Sequence, residues 1–368
     1  MRAIVSGYYG FGNAGDEAVL AGVIAGMRQA AGDVDFTVLS GRPQLTAHNH
    51  AVHSIGRFDW QALGRALARA HLFISGGGNL FQDVTSARSC LYYLAAIRRA
   101  LKAGTPVMVL GQGIGPLRRR WLRALVRRCL NQVQGIAVRD SESARELARW
   151  GVTTTVRIAA DLSLAMALPD AQQVTQAYRD MGVREGDLVL AIVPRTWRIR
   201  GLGSEFLPRL ASAISRATAR ARPAYQIVHF PMQRPHDDEA CAALAAAVGG
   251  VVAQRELPAP LLAGMIGSAR AVVAMRLHGL IFAAMGGAAP VAVSYDPKVQ
   301  AFMDDIGVAT VAAAAALDEE RLVSAIASAW DADSEARAAL RRTMEQRREA
   351  VRDVFHWAAS VVPRPRSG

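Results

Sequence analysis

Short apolar runs alternate with amphipathic stretches along nearly the whole chain. In the first half the runs "AIVSG", "DFTVLS", "AVHSI", "HLFIS", "PVMVLGQG" and "GIAVRD" predict strands. In the second half "DLVLAIVPR", "YQIVHFP", "GVVA", "AVVAM" and "PVAVSY" do the same. Between them lie segments such as "DEAVLAGVIAGMRQAA" and "RSCLYYLAAIRRALKAG", whose apolar residues recur at three- and four-residue spacing and predict helices. Strands this apolar must be covered on both faces, so the alternation implies α/β architecture with parallel sheets. The pattern breaks once, around "ALPDAQQVTQAYRDMGVREGD", and restarts with a new buried strand. Two Rossmann-like, doubly wound domains are therefore expected, 1–168 and 169–330, facing across a cleft into which the strand C-termini open. The charged stretch "SEARAALRRTMEQRREAVRDVFHWAA" has no strand after it. It predicts a final helix within 331–360 packing across the domains, with 361–368 as a flexible tail.

The predicted strand ends carry the polar chemistry. After the first strand, "GYYGFGNAGDEAVL" sets Gly10, Gly12 and Gly15 in the G-x-G-x-x-G spacing of a dinucleotide loop. Such a loop holds a diphosphate with the free N–H groups and positive dipole of a helix start. Here Asp16 and Glu17 already occupy that field and repel a second anion. Ser40, Gly41 and Arg42 stand where a ribose-binding acid belongs, so an NADP reading has only Arg42 to lean on. Two readings of the loop stay open. Asn13 or Asp16 caps the following helix, or Gly12, Asn13 and Asp16 hold the hydroxyls of a sugar.

A second loop, "SGGGNLFQD", follows the fourth strand with Gly76, Gly77 and Gly78, then Asn79, Gln82 and Asp83; glycines here let a ligand approach the backbone. "GQGIGP" adds Gln112 and Gly113, and "VRDSES" adds Arg139. Strand-to-helix turns need glycine for their own geometry, but three such loops on one sheet edge favour a binding surface. The second half supplies cations: Arg195 in "IVPRTWR", His229 in "VHFPMQRPHDD", Arg276 and His278 in "MRLHGLIFAAMGG", and Lys298 in "SYDPKV". A lone histidine is more often structural. His278, beside Gly279 at a strand-to-helix turn, can instead point into the cleft. The chain has two lysines, Lys102 and Lys298, against dozens of arginines, so a lysine at a strand end suggests that a compact ammonium is required there.

Composition narrows the partners. A 51% apolar, 20% charged chain is globular, and its net charge of +12 calls for an anionic partner: nucleic acid, a phosphorylated substrate or an acidic membrane surface. Aromatic residues are only 6% and are not interleaved with basic ones, which argues against nucleic acid. Cys90, Cys129 and Cys241 are odd in number and far apart, and no His, Cys or Asp cluster has metal spacing. The N-terminal apolar stretch is too short for a signal peptide, and "LHGLIFAAMGGAAPVAV" is glycine-broken, so a cytoplasmic protein is expected. In "PLRRRWLRALVRRCLN" a helix gathers Trp121, Leu122, Leu125, Val126 and Cys129 on one face and arginines towards the other. Its arginines are either a solvated outer face or a peripheral contact with an anionic inner membrane face.

Taken in order, "GYYGFGNAGDEAVL", "SGGGNLFQD", "GQGIGP", "VRDSES", "MRLHGLIFAAMGG" and "SYDPKV" resemble the polysaccharide pyruvyl transferase family, in particular its cell-wall, CsaB-type branch. The resemblance covers most of residues 1–300. It implies a GT-B-like fold and transfer of a pyruvyl group from phosphoenolpyruvate to two hydroxyls of a sugar, forming a ketal. It matches Arg139, His278 and Lys298 to the family's basic functional positions, with phosphoenolpyruvate as donor and no other cofactor. It implies as acceptor a lipid-linked or polymeric sugar, an amino-sugar disaccharide of a secondary cell-wall polymer of the kind that anchors S-layers. The residues agree in kind: a small substrate with carboxylate and phosphate needs converging cations, and a histidine can move a proton near neutral pH. His278 is then the acid/base, Lys298 and Arg139 bind anionic groups, and Asn13, Asp16, Asn79 and Gln82 hold the acceptor. The rival readings are a nucleotide-sugar glycosyltransferase using Arg276 and Lys298 on a diphosphate, an NADP-linked enzyme, and a silent sugar-binding protein.

Overall fold

The structure is a computed structural model that describes every residue except 85, 196–204, 220–224, 295, 309–311, 314–316 and 363–368. Most of the expected tail therefore lies outside the described residues. The chain divides into two compact units. Met1–Phe11, Asp16–Ala167 and Gln346–Gly368 form the first; Gly12–Gly15 and Leu168–Glu345 form the second.

The first unit alternates β1 (Arg2–Ser6), α1 (Ala14–Ala31), β2 (Asp35–Ser40), α2 (Pro43–His50), β3 (His53–Gly56) and α3 (Trp60–Leu67). It continues through β4 (Leu72–Gly76), α4 (Ala87–Lys102), β5 (Val107–Gln112), α5 (Arg120–Leu130), β6 (Gly135–Val138), α6 (Ser141–Arg149) and β7 (Val156–Ile158). Its seven strands are all parallel, in the order β3-β2-β1-β4-β5-β6-β7. β4 and β5 are buried at every position, which is why they read as unbroken apolar runs. The edge strand β7, "VRI", buries none of its residues and has no such signature.

The second unit runs α7 (Ala171–Asp180), β8 (Leu188–Val193), α8 (Phe206–Thr218), β9 (Tyr225–His229), α9 (Asp238–Val248), β10 (Val251–Val252) and α10 (Ala259–Ser268). Then come β11 (Ala271–Ala274), α11 (Leu277–Gly286), β12 (Ala289–Ser294), α12 (Pro297–Asp305), β13 (Ala312–Ala313), α13 (Glu319–Asp331) and α14 (Ser334–Ser360). Its six parallel strands are ordered β10-β9-β8-β11-β12-β13. The apolar stretch at 277–293 is thus a buried helix and a central strand. Among the described residues no helix is long and apolar enough to cross a membrane.

Side-chain caps start the helices where sequence supplies them. Ser86 accepts from Arg88 N at 3.1 Å, Asp140 from Ser143 N at 2.7 Å, and Asp170 forms a capping box with Gln173. The last helix contributes to both units in turn: its residues from 346 onward bury Phe355 against Gly26 and set Trp357 against Gly135 in the first.

In each sheet the strand order reverses once, between β1 and β4 in the first unit and between β8 and β11 in the second. At such a switch point the connections leave in opposite directions and open a crevice beyond the carboxyl ends of the strands. The loops after β1, β4, β8 and β11 are therefore where chemistry is expected.

Close helix packing limits the second unit. A Cβ on Gly286 of α11 would lie 2.3 Å from the Gly267 carbonyl oxygen of α10. Gly286→Ala is expected to lower stability by roughly 1–3 kcal/mol in urea unfolding. Gly64→Ala, in α3 with nothing within 4 Å of the added methyl, is expected to raise it by about 0.5–1 kcal/mol. Equal effects would mean that helix contact is not the constraint.

Candidate active site

The loop after β1 is closed by its own side chains. Gly10 and Gly12 take φ of 78° and 68°, which only glycine adopts readily. The Gly10 N–H donates to Glu17 Oε1 at 2.8 Å, and Glu17 Oε2 meets His50 Nε2 at 2.8 Å. The carboxylate thus ties the loop to the start of α1 and to α2. Asn13 Oδ1 accepts from Gly15 N at 3.1 Å, which is the capping role. Asp16 sits beside Gly78, and burial with the nearby Asp16 charge raises the Tyr8 phenol above its ordinary range.

The loop after β4 is braced from beneath. Gln112, wholly buried, donates to the Gly77 carbonyl at 3.0 Å and accepts from Leu80 N at 3.3 Å, so it supports the glycine loop from inside the fold. Tyr9 Oη donates to the Gly76 carbonyl at 2.7 Å. Gly77 and Gly78 both have positive φ, and a Cβ on Gly77 would meet Val19 at 1.9 Å. Asn79 donates to the Gly115 carbonyl at 2.8 Å, and its buried Oδ1 has no hydrogen-bond partner among the described residues. Gln82 accepts from Val84 N at 2.7 Å. Asp83 is buried and accepts from Arg118 N and Arg119 N at 2.9 and 3.0 Å. Burial pushes its pKa up, but these two N–H groups and the adjoining arginines outweigh that and hold it below the usual carboxylate range. Asp83 therefore organises the entry to α5. Arg139 lies against Gly113, where a Cβ would come within 2.6 Å of its guanidinium, and its Nε donates to Asp140 at 3.2 Å.

One cluster at this edge escaped the sequence reading. Arg57, just after β3, lies 4.0 Å from the Tyr92 ring centre, 5.1 Å from Phe11 and 5.0 Å from Phe58. Tyr8 stacks on Phe11 at 4.3 Å, and Phe58 is 66% exposed. The result is a partly open aromatic platform with a cation at its centre.

In the second unit a buried ion pair organises the edge. Arg276, two residues beyond β11, donates through Nε to Asp237 Oδ2 at 3.0 Å and through a terminal nitrogen to Oδ1 at 2.5 Å. Its other terminal nitrogen reaches Gln233 Oε1 at 3.1 Å. Asp237 is fully buried and also accepts from Gln233 N at 2.9 Å. The segment so fixed receives residues 12–14: Ala14 N donates to the Met232 carbonyl at 2.8 Å, and Arg234 N to the Gly12 carbonyl at 3.2 Å. Gly15 then lies against His278 in the first turn of α11, so close that a Cβ would sit 2.1 Å from the imidazole Nδ1. The third glycine of the fingerprint is thus a seat for an imidazole.

Two further candidates, His229 and Gly279, pack within the fold, while Arg195 and Lys298 follow strands of the second sheet. His229 is buried, its Nε2 is 2.9 Å from the Gly249 carbonyl, and burial lowers its pKa. Gly279 lets α11 rest on β8 and β11, since a Cβ there would meet Val193 at 2.8 Å and Ala274 at 3.2 Å. Arg195 is partly buried just beyond β8. Lys298, in the first turn of α12, has Nζ 3.2 Å from Asp296 Oδ2. Of the three residues expected to be catalytic, His278 and Lys298 belong to the second unit and Arg139 to the first.

The family described as polysaccharide pyruvyl transferase matches the chain over residues 13–297. No curated protein matches it by sequence. Among solved structures, the UDP-GlcNAc 2-epimerase of Methanocaldococcus jannaschii is similar at TM-score 0.63 and 10% identity, over 90% of this chain and 94% of that one. The Neisseria meningitidis UDP-GlcNAc 2-epimerase bound to UDP-GlcNAc gives 0.60 at 10%, over 92% and 94%. A glycosyltransferase from Rickettsia africae gives 0.59 at 8%, over 97% and 95%. At these identities the likeness establishes the shared fold alone, the two-Rossmann GT-B architecture.

The buried pair can be tested directly. Asp237→Ala leaves the Arg276 guanidinium buried without its carboxylate, and is expected to cost about 3–5 kcal/mol in urea unfolding. Adding Arg276→Met should recover most of that loss. If Asp237→Ala is as stable as wild type, the pair does not hold this edge together.

Proposed function

The chain belongs to the polysaccharide pyruvyl transferase family, and from that premise we propose that it moves the pyruvyl group of phosphoenolpyruvate onto two hydroxyls of one sugar. In this reaction two C–O bonds form at the enol carbon, the enol methylene gains a proton to become methyl, and the C–O bond to phosphate breaks. The two hydroxyl protons account for that methylene proton and for one released to phosphate or solvent. His278 is assigned these transfers, as the imidazole is the side chain that both gives and takes protons near neutral pH. The observation that carries the assignment is its seat: the first turn of α11 at the sheet's switch point, with Gly15 cleared of a side chain to admit the ring.

Lys298 is assigned a donor anion, where an ammonium stabilises charge as phosphate leaves. Arg139 receives its donor-binding role from the family motif. Phosphoenolpyruvate is the only cofactor-like molecule in this reading, and no metal enters it. The acceptor is assigned to the first unit's carboxyl edge, where the Tyr8–Phe11 stack and exposed Phe58 offer faces for a sugar ring. We further assign the chain to the cell-wall, CsaB-type branch, with a lipid-linked or polymeric amino-sugar acceptor, on the ordered motifs. A nucleotide-sugar glycosyltransferase is the second reading, favoured by the fold shared with the Rickettsia africae enzyme.

Ligand-induced thermal stabilisation separates the two. Phosphoenolpyruvate is expected to raise Tm while a panel of UDP-sugars does not; the reverse pattern overturns the proposal in favour of the second reading. His278→Gln is expected to lower kcat by roughly 10²–10⁴-fold with phosphoenolpyruvate still bound. A variant keeping a tenth or more of wild-type turnover removes the histidine from the mechanism.

Replacing Lys298 or Arg139 with Ala is expected to weaken phosphoenolpyruvate binding by about 1.5–3 kcal/mol each, read by calorimetry. Unchanged affinity in a folded variant takes that residue out of the donor site.

A further inference from the structure

We propose that α4 and α5 of the first unit form a docking face for an anionic lipid bilayer. Residues 87–102 carry Arg88, Arg98, Arg99 and Lys102, and residues 116–131 carry six arginines, with no Asp or Glu in either stretch. These two stretches therefore hold ten cations, eight of them on the helices themselves, set against a net charge of +12 for the whole chain. They are neighbours: their inner faces meet in one core through Cys90, Leu94 and Ile97 of α4 and Leu122, Val126 and Cys129 of α5. The Arg98 charge is also felt at the Cys129 thiol.

The outer face is not purely polar. Helical periodicity sets Trp121 and Leu125 on the same apolar face of α5 as Leu122, Val126 and Cys129. Instead Leu122, Val126, Cys129 and Leu130 fill the core, and Trp121 and Leu125 stand 50% and 37% exposed among the arginines. They are four residues apart and so share one side of the helix. Leu91 on α4 is 37% exposed, and Val84 just before α4 is 59% exposed. Of six strongly exposed large apolar side chains among the described residues, four belong to this region. A tryptophan with leucines inside a field of arginines, with the neighbouring Asp83 buried at the entry to α5, is the composition of an interfacial membrane-binding surface. A second copy of the chain fits it poorly, because a two-fold contact would set the cations of one copy against those of the other.

The charge and the apolar side chains contribute separately, so each can be removed without touching the residues assigned to chemistry. Co-sedimentation uses full-length protein with phosphatidylcholine vesicles containing about 30 mol% phosphatidylglycerol, or none, at roughly 0.05 M and 0.5 M salt. Wild type is expected to bind the anionic vesicles at low salt, with at least tenfold weaker partition at high salt and on neutral vesicles. Changing Arg118, Arg123, Arg127 and Arg128 to Gln is expected to weaken binding more than about tenfold, since each basic residue at such a surface contributes several-fold. Trp121→Ser with Leu125→Ser keeps every charge and is expected to weaken binding several-fold, with circular dichroism unchanged. The proposal is overturned if wild type ignores anionic vesicles at low salt, or if either variant binds as wild type does. It is also overturned if the wild type binds short duplex DNA more tightly than vesicles, or forms a dimer that Trp121→Ser abolishes. None of these readouts needs turnover, so the outcome is independent of the proposed reaction.

Discussion

The buried pair between Arg276 and Asp237 fixes the carboxyl edge of the second unit's sheet, where His278 stands. Arg276 stands two residues before His278, and Asp237 fixes Gln233 and the segment around it. That segment hydrogen-bonds residues 12–14, and Gly15 then borders the imidazole of His278. The path therefore closes on itself, from Arg276 through Asp237, Gln233 and the glycine loop back to the start of α11. A buried ion pair adds little net stability against an apolar substitute, but breaking it leaves an uncompensated charge. The arrangement is better understood as fixing position than as supplying energy.

The same loop explains a false lead. Glycine spacing after the first strand matches a dinucleotide fingerprint, yet each glycine has a local cause. Gly10 and Gly12 adopt positive φ, and Gly15 leaves room for His278. Two backbone N–H groups of the loop are taken up internally, with Glu17 accepting from Gly10 N and Asn13 accepting from Gly15 N. A motif of this kind reports tight backbone geometry, and the side chains around it decide what that geometry holds.

Strands were legible where both faces are covered, because burial on both sides forces unbroken apolar runs such as "HLFIS" and "PVMVLGQG". β7 and β13 were not: the first is three residues on an edge with no buried position, the second two alanines. The loops bearing glycines were also legible, since positive φ restricts residue choice strongly. What each polar side chain does there was not. Gln112, Asp83 and His229 point to partners over twenty residues away or to backbone groups, and no spacing rule encodes such contacts. Asp237 and Arg57 were missed for the same reason. Trp121 and Leu125 show a different limit: helical periodicity gives a broad apolar arc, whereas the core accepts a narrower one.

The way the chain is shared between its two units bears on modularity. The chain passes from one unit to the other four times, and two of those passages bracket only Gly12–Gly15. A gene fusion or exchange with a single crossover near residue 168 would carry away residues 168–345 without the four-residue segment that Met232 and Arg234 bind. It would also separate the end of α14 from the sheet it covers. Each unit looks like a portable Rossmann domain, but neither is one as a contiguous stretch of sequence, so recombination between relatives has to respect four junctions rather than one.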